Sequence, residues 1–236
     1  MEERLSISFV LPMFNERDNI GATIFAVKSL AGEIAWDYEI IVVDDASTDG
    51  CGDIVEGMAR DDDTIKLFRL TSNSKFGGAF ARGFKNSGKD TIIYMDSDMP
   101  VKVEDIKASL PLIRAADIVT GYSRVKKGDT VKRKVMSGLY NLTVQALFGL
   151  NIKDINSGYK IVRKKVIDDI EFVSRSPFVD VELFLHARKK GFKVHQYPLV
   201  FYPRTEGRSY ISSIPIMWAT FADMLKVKFL SFRRSA

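Results

Sequence analysis

Cysteine and histidine are nearly absent from this 236-residue sequence, which has one Cys and two His. A single cysteine, Cys51, forms no internal disulfide, so the fold must stand on its packed core, and the chain fits a reducing compartment. No Cys/His cluster has zinc spacing, and His186 and His195 read as packed or surface residues. No run approaches the roughly 18 consecutive apolar residues that a membrane span requires. The amino terminus, "MEERLSISFV", begins acidic and carries only a short apolar run, so it is not a secretory signal. No internal repeat, low-complexity tract or interdomain linker stands out, and neither a G-x-G-x-x-G nor a P-loop occurs.

The remaining composition is that of a folded α/β protein. Hydrophobic residues make up 46% of the chain, enough for a full core. The net charge of +5 is mildly basic and suits anionic partners such as phosphates or a membrane surface; a nucleic-acid partner is not expected. Short, continuously apolar runs alternate with helical spacing. Strands are expected at Ile7–Phe14, Tyr38–Asp45, Thr64–Leu70, Thr91–Asp96 and Asp117–Ser123. Helices are expected near Asn19–Leu30, Gly50–Arg60, Gly77–Asn86 and Val103–Arg114. This alternation predicts a mostly parallel sheet covered by helices on both faces. The pattern loosens after about Arg124, and the second half is expected to pack on the same sheet.

In an open α/β sheet, ligands bind beyond the carboxyl ends of the strands. Three polar clusters fall there: "PMFNE", "VDDASTDG" and "MDSDMP". Asp44, Asp45, Asp49, Asp96 and Asp98 would then line one rim. Clustered carboxylates call for a cation, and oxygen-only ligands favour Mg²⁺ or Mn²⁺, with substrate phosphates completing the shell. A lone Asp-Ser-Asp would as readily cap the following helix; three clusters in register favour a ligand site. The run "RVKKGDTVKRK" carries six basic residues and one acid. It reads either as a solvated face or, from its place after strand five, as a mobile lid over a diphosphate. Gly77 and Gly78 read as a tight strand-to-helix turn in preference to a phosphate cradle.

The segments "VLPMFNERDNI", "IIVVDDASTDG", "KFGGAFARGF", "IIYMDSDMP", "INSGYKIV" and "YPRTEGRS" together resemble the GT-A (Rossmann-like) glycosyltransferases of the dolichol-phosphate mannose synthase type. The resemblance runs from about Ser6 to Tyr210. It implies an inverting, metal-dependent transfer of a hexose (mannose or glucose) from a GDP- or UDP-linked donor to a polyprenyl or dolichyl phosphate. It also implies that Pro12, Phe14 and Glu16 hold the nucleoside, that Asp44, Asp45 and Ser97 face the donor, and that Asp96 and Asp98 bind Mg²⁺ or Mn²⁺. Five positions depart from the family pattern. Pro100 stands where a glutamine is common, Gly138 follows Ser137 where the family has an arginine, "SGFR" reads "SGYK", and a terminal lysine is replaced by Tyr210.

The chemistry fits this residue set. A departing nucleoside diphosphate gathers negative charge that a divalent ion stabilises. A lipid phosphate is already an anion and needs no general base, whereas a hydroxyl acceptor does. Two anionic substrates call for cations, here Arg124, Arg133 and Arg204. Glu182 lies where related transferases with alcohol acceptors place their base, and has at most a positioning role with a phosphate acceptor. Residues 1–210 are read as the catalytic domain. Residues 211–236 are read as an amphipathic helix with Ile214, Met217, Trp218, Phe221, Met224, Leu225 and Phe229 on one face and a basic end. That helix packs on the core, lies in the headgroup region of a membrane, or does both. The expectation is a peripheral enzyme at the cytoplasmic face of a membrane. The alternatives are a transferase to a hydroxyl on a glycan or protein, with Glu182 or Asp180 as base, and a non-catalytic nucleotide-binding module at a membrane surface.

Overall fold

A computed structural model describes residues 5–126, 131–202 and 214–233. Seven strands form one sheet: β1 (Leu5–Met13), β2 (Ala35–Asp44), β3 (Ile65–Arg69), β4 (Thr91–Met95), β5 (Ile118–Lys126), β6 (Tyr159–Arg163) and β7 (Val194–Phe201). Their spatial order is β3-β2-β1-β4-β6-β5-β7. Only β6 runs antiparallel to its neighbours, β4 and β5. The carboxyl ends of the other six strands therefore share one rim with the amino end of β6. The order reverses between β1 and β4, which opens a crevice at that rim.

Period-two alternation divides the core in two. Ile7, Phe9, Leu11, Ile93 and Met95 point to one side of the sheet, while Val10, Ile92 and Tyr94 point to the other. The first side is covered by α1 (Ile20–Ile34), α2 (Cys51–Arg60) and α4 (Val103–Ser109). Helix α1 seats Ile20, Thr23, Ile24, Val27, Leu30 and Ala31, the i, i+3, i+4, i+7 stripe of a core-facing helix. The second side is covered by α3 (Lys75–Asn86), α5 (Val131–Phe148), α6 (Lys164–Ile167), α7 (Val179–Lys190) and α8 (Ile214–Arg233).

The expected helix over 103–114 is divided. After Ser109 the chain tightens into a 3₁₀ segment, Leu110–Arg114. Pro111 has no N–H for the α-helical bond to the preceding turn, so the regular ladder stops there. Helix α8 sends Met224 and Val227 into the second core, with 7% and 9% exposure. Met217, Trp218, Phe221, Leu225 and Phe229 stay outside it. The tail thus packs on the domain and still presents an apolar face. No helix among the described residues is long and apolar enough to cross a membrane.

Candidate active site at the carboxyl rim of the sheet

The loops that leave β1, β2 and β4, together with the start of α3, meet at one rim, and local strain gathers there. Among the described residues, the four non-glycine residues with positive φ are Asn15 (56°), Ala46 (61°), Lys75 (67°) and Met99 (48°). Each sits in a turn at that rim. Such conformations cost about 1 kcal/mol or more each and persist where surrounding contacts hold them. Those contacts are present. Ser47 Oγ accepts the Asn15 N–H at 3.0 Å, and Asn15 Oδ1 accepts the Thr48 N–H at 2.9 Å. Asp49 accepts the N–H groups of Arg17 (2.9 Å) and Cys51 (3.0 Å), so this acid ties two loops together and caps α2.

Pro12 and Phe14 are partly exposed on the β1 side of the crevice, and Glu16 is buried and accepts a hydrogen bond from Asn19 Nδ2 at 2.9 Å. Asp44 ends β2 and Asp45 follows it; both are buried. Asp44 Oδ1 accepts the Ser47 N–H at 2.9 Å. Asp45 Oδ1 accepts the Ser74 N–H at 2.5 Å and its hydroxyl at 2.7 Å. Burial pushes the Asp45 carboxyl above its ordinary range, against the pull of those donors.

Asp96 and Asp98 follow β4 on the other side of the switch point, both half-buried. Their loop is pinned from three directions. The Asp96 N–H donates to Gly158 O at 3.2 Å, and Tyr94 Oη donates to Asp96 Oδ1, also at 3.2 Å. Thr23 Oγ1 donates to the carbonyl of Ser97 at 2.8 Å. Gly158 presses so closely on Asp96 that a Cβ there would fall 2.4 Å from Asp96 Oδ2. Among the described residues no third His, Cys, Asp or Glu completes a metal cage with this pair. Two carboxylates without further protein ligands suit a cation whose remaining shell comes from phosphates and water.

Gly77 and Gly78 serve packing. The Gly77 N–H donates to Arg175 O at 2.8 Å, and a Cβ on Gly77 would lie 2.4 Å from Ser174 O. The segment pressing on it, 173–176, has all four amides bound by carboxylates. Glu182 takes those of Val173 (2.9 Å) and Ser174 (2.8 Å), along with the Ser174 hydroxyl. Asp223 of α8 takes those of Arg175 (3.0 Å) and Ser176 (2.9 Å). The Glu182 carboxylate, raised by burial, is therefore engaged in holding a loop. Asp180, on the same helix, is 1% exposed and paired with Lys160 at 2.9 Å. Burial pushes its carboxyl up to about 6, against the pull of Lys160.

Arg124 is exposed near the end of β5. Arg133 belongs to the first turn of α5, Lys127–Thr130 lie outside the described residues, and so does Arg204. Beside the end of β5 lies a cleft of about 310 Å³ lined in part by Tyr122, Ser137, Gly138, Asn141 and Lys153. The ammonium of Lys153 sits 4.1 Å from the centroid of the Tyr122 ring. No spacing signal marks Lys153 in the sequence; it joins the cleft only because the segment after α5 folds back past β5.

The model of the family described as glycosyl transferase family 2 matches residues 8–171, from β1 through every strand end described above except that of β7. The chain belongs to that family. It is a glycosyltransferase. Among curated family relatives, it is 29% identical over 213 residues to an undecaprenyl-phosphate mannosyltransferase from Micrococcus luteus, covering 86% of each chain. It is 30% identical over 225 residues to a polyprenol monophosphomannose synthase from Mycolicibacterium smegmatis, covering 90% of this chain and 83% of the relative. Its fold is similar to that of glucosyl-3-phosphoglycerate synthase from Mycobacterium tuberculosis solved with Mn²⁺, uridine diphosphate and glucosyl-3-phosphoglycerate. That match has a TM-score of 0.72 at 18% identity, over 94% of this chain and 79% of the other. Mannosyl-3-phosphoglycerate synthase from Rubrobacter xylanophilus gives a TM-score of 0.70 at 16% identity, over 97% and 75%.

Proposed function

We propose that this glycosyltransferase moves a hexose from a GDP- or UDP-linked donor to a polyprenyl phosphate, with Mg²⁺ or Mn²⁺ held by Asp96 and Asp98. The observation that carries the choice of acceptor is the state of the two acids on α7. Glu182 is bound by two amides and a hydroxyl, and Asp180 by Lys160. Neither is available to take a proton from an alcohol, whereas a phosphate monoester arrives ionised. The relatives point the same way, since both are named for transfer to a polyprenyl carrier. When bound, the divalent ion would supply Lewis-acid stabilisation of the departing diphosphate. The protein's own part is placement. The β1 loop with Pro12, Phe14 and Glu16 would hold the nucleoside, with Asp44, Asp45 and Ser97 beside it. Arg124, Arg133 and Arg204 would screen the approach of the second anion, and Lys153 adds charge where Gly138 leaves none.

A lipid acceptor requires the enzyme to meet a bilayer, and we assign that contact to residues 211–236 together with α5. Trp218 and Phe229 on α8 are 68% and 69% exposed, and Val135, Leu139 and Leu142 on α5 are 61% exposed or more. The two helices are joined where Lys228 Nζ donates to Leu147 O at 2.6 Å. Aromatic and aliphatic side chains beside lysines suit a headgroup boundary. We place the enzyme at the cytoplasmic face, consistent with a single, buried, free cysteine.

The test supplies GDP-mannose, GDP-glucose, UDP-mannose and UDP-glucose with Mn²⁺ and compares undecaprenyl phosphate with undecaprenol. Transfer to the phosphate alone is expected, and chelation of the metal should stop it. Equal transfer to the alcohol would discard the acceptor assignment. For the membrane contact, Trp218→Glu with Phe229→Glu should abolish sedimentation with anionic vesicles while the thermal midpoint holds. Deleting residues 222–236 is a poorer probe, because it removes the buried Met224 and Val227 and the Asp223 clamp.

A further inference from the structure

Lys160 is wholly buried, with its ammonium 2.9 Å from Asp180 Oδ1. Taking both charges out of water is costly, and apolar side chains of similar volume commonly serve stability as well or better. The surroundings offer that option, since Val179, Val181, Leu183 and Phe184 beside Asp180 on α7 are all buried and apolar. What distinguishes the pair is its location. In the antiparallel register of β4 and β6, Lys160 stands directly opposite Tyr94. Its ammonium lies 5.6 Å from the Tyr94 ring centroid and donates to Ser157 O at 2.5 Å. Of its three donors, one is thus directed to the turn before β6, while the charge is paired with that of Asp180.

Two of the three neighbours of the ammonium, Tyr94 and Ser157, lead to Asp96. Tyr94 is clamped by aromatic rings in the second core, tilted against Phe80 at 4.8 Å and stacked on Phe84 at 5.9 Å between centroids. Although the residue is fully buried, its hydroxyl donates to the Asp96 carboxylate at 3.2 Å. Ser157 precedes Gly158, whose carbonyl accepts the Asp96 N–H and whose bare Cα leaves room for its carboxylate. We propose that the Lys160–Asp180 pair is a positioning device for Asp96, fixing its carboxylate through Tyr94 and its backbone through the Ser157–Gly158 turn. The proposal rests on the reading of Asp96 and Asp98 as ligands of a divalent ion. Partners behind a metal ligand orient it, and their loss typically weakens metal affinity about 10- to 100-fold.

The experiment measures Mn²⁺ affinity by electron paramagnetic resonance of the free ion, in the presence of GDP or UDP, whichever gives the larger thermal shift. Three proteins are compared with the wild type. Lys160→Met with Asp180→Leu removes both charges together. It should fold with a thermal midpoint near that of the wild type, yet bind Mn²⁺ about 10-fold more weakly. Tyr94→Phe keeps the ring and its packing and removes only the hydroxyl; it should also bind Mn²⁺ more weakly. Asp98→Asn reports on the metal site itself and should lose Mn²⁺ binding. A folded double variant with unchanged Mn²⁺ affinity, beside an Asp98→Asn protein that has lost it, overturns the positioning role and leaves the metal site standing. Unchanged Mn²⁺ binding in Asp98→Asn overturns the metal reading and this proposal with it. Should the double variant fail to fold, Tyr94→Phe decides, and unaltered affinity there refutes the proposal.

Discussion

At the amino ends of the strands, Glu39 meets Lys66 at 2.6 Å, Asp37 meets Lys89 at 2.6 Å, and Asp117 meets Lys165 at 2.7 Å. At the carboxyl ends the acids are held differently. Asp44 accepts a backbone amide, Asp45 an amide and a hydroxyl, and Asp96 a phenol. The strain is divided in the same way: the positive-φ residues Asn15, Ala46, Lys75 and Met99 all sit at the carboxyl rim. A carboxylate matched by a lysine has its charge answered within the fold. An amide or a hydroxyl fixes a carboxylate in place without bringing a charge of its own. The acids named at the amino rim are thus paired with lysines, and those named at the carboxyl rim, where a cation and two anionic substrates would meet, are positioned by amides, a hydroxyl and a phenol.

The largest break in that comparison is expected from Asp98→Asn. Removing one carboxylate from the carboxyl rim should lower the transfer rate by about 10²-fold or more, the scale of losing a group that stabilises transition-state charge. The thermal midpoint should stay close to that of the wild type, since the residue serves a ligand more than the fold. Initial rates at saturating Mn²⁺, paired with thermal melts, check both halves. A rate near that of the wild type would remove Asp98 from the chemistry and dissolve the distinction between the rims.

Much of this contrast can be read in the sequence, for a physical reason. Strands buried on both faces must be continuously apolar, so "ISFVLPM", "IIVVDD" and "TIIYMD" announce both themselves and the polar residues where they end. The parts that escape are those where burial and pairing disguise a residue. Lys160 looks like a surface residue in "GYKIVR", although it is buried in the core against Asp180. That same lysine breaks the apolar run of β6, the one antiparallel strand. Glu182 has the sequence position of a base, and only the folded chain turns it toward the amides of 173–176. The tail reads as amphipathic in sequence, but spacing alone could not divide its apolar residues between the core (Met224, Val227) and the exterior (Trp218, Phe229).

Glu182→Gln is expected to have an intermediate effect, and on stability more than on chemistry. A glutamine keeps one acceptor oxygen but turns an N–H₂ toward donors that now lack a partner. The cost should be about 1–3 kcal/mol, as for a buried donor left unsatisfied. Measured on the folded protein, the transfer rate should fall far less than the 10²- to 10⁴-fold typical of a lost general base. Urea unfolding and steady-state rates separate the two. A loss near the top of that range with stability intact would return Glu182 to the role of base and favour a hydroxyl acceptor.

The smallest effect belongs to the other rim. Burial alone would push the Glu39 carboxyl up, but Lys66, the Ser8 hydroxyl and the Gly88 amide together draw it below its ordinary value of 4.5. A carboxyl whose folded pKa is depressed contributes stability above the unfolded value and loses it as the pH falls through the folded one. Lys66→Met should raise the folded value back toward the ordinary one while leaving the Ser8 and Gly88 donors in place. Because the Lys66 side chain is 49% exposed, water screens the pair and the loss at pH 7 should be only about 0.2–1 kcal/mol. The difference from the wild type should shrink as the pH falls through the folded value of Glu39, which lies below 4.5. It should also shrink in high salt. Transfer activity at pH 7 should not change, because this rim answers its own charges and meets no substrate. Thermal melts from pH 7 down through the acid range, beside a rate assay, read all of this. A substantial loss of activity in a variant this mildly destabilised would mean that the amino rim is coupled to the chemistry after all.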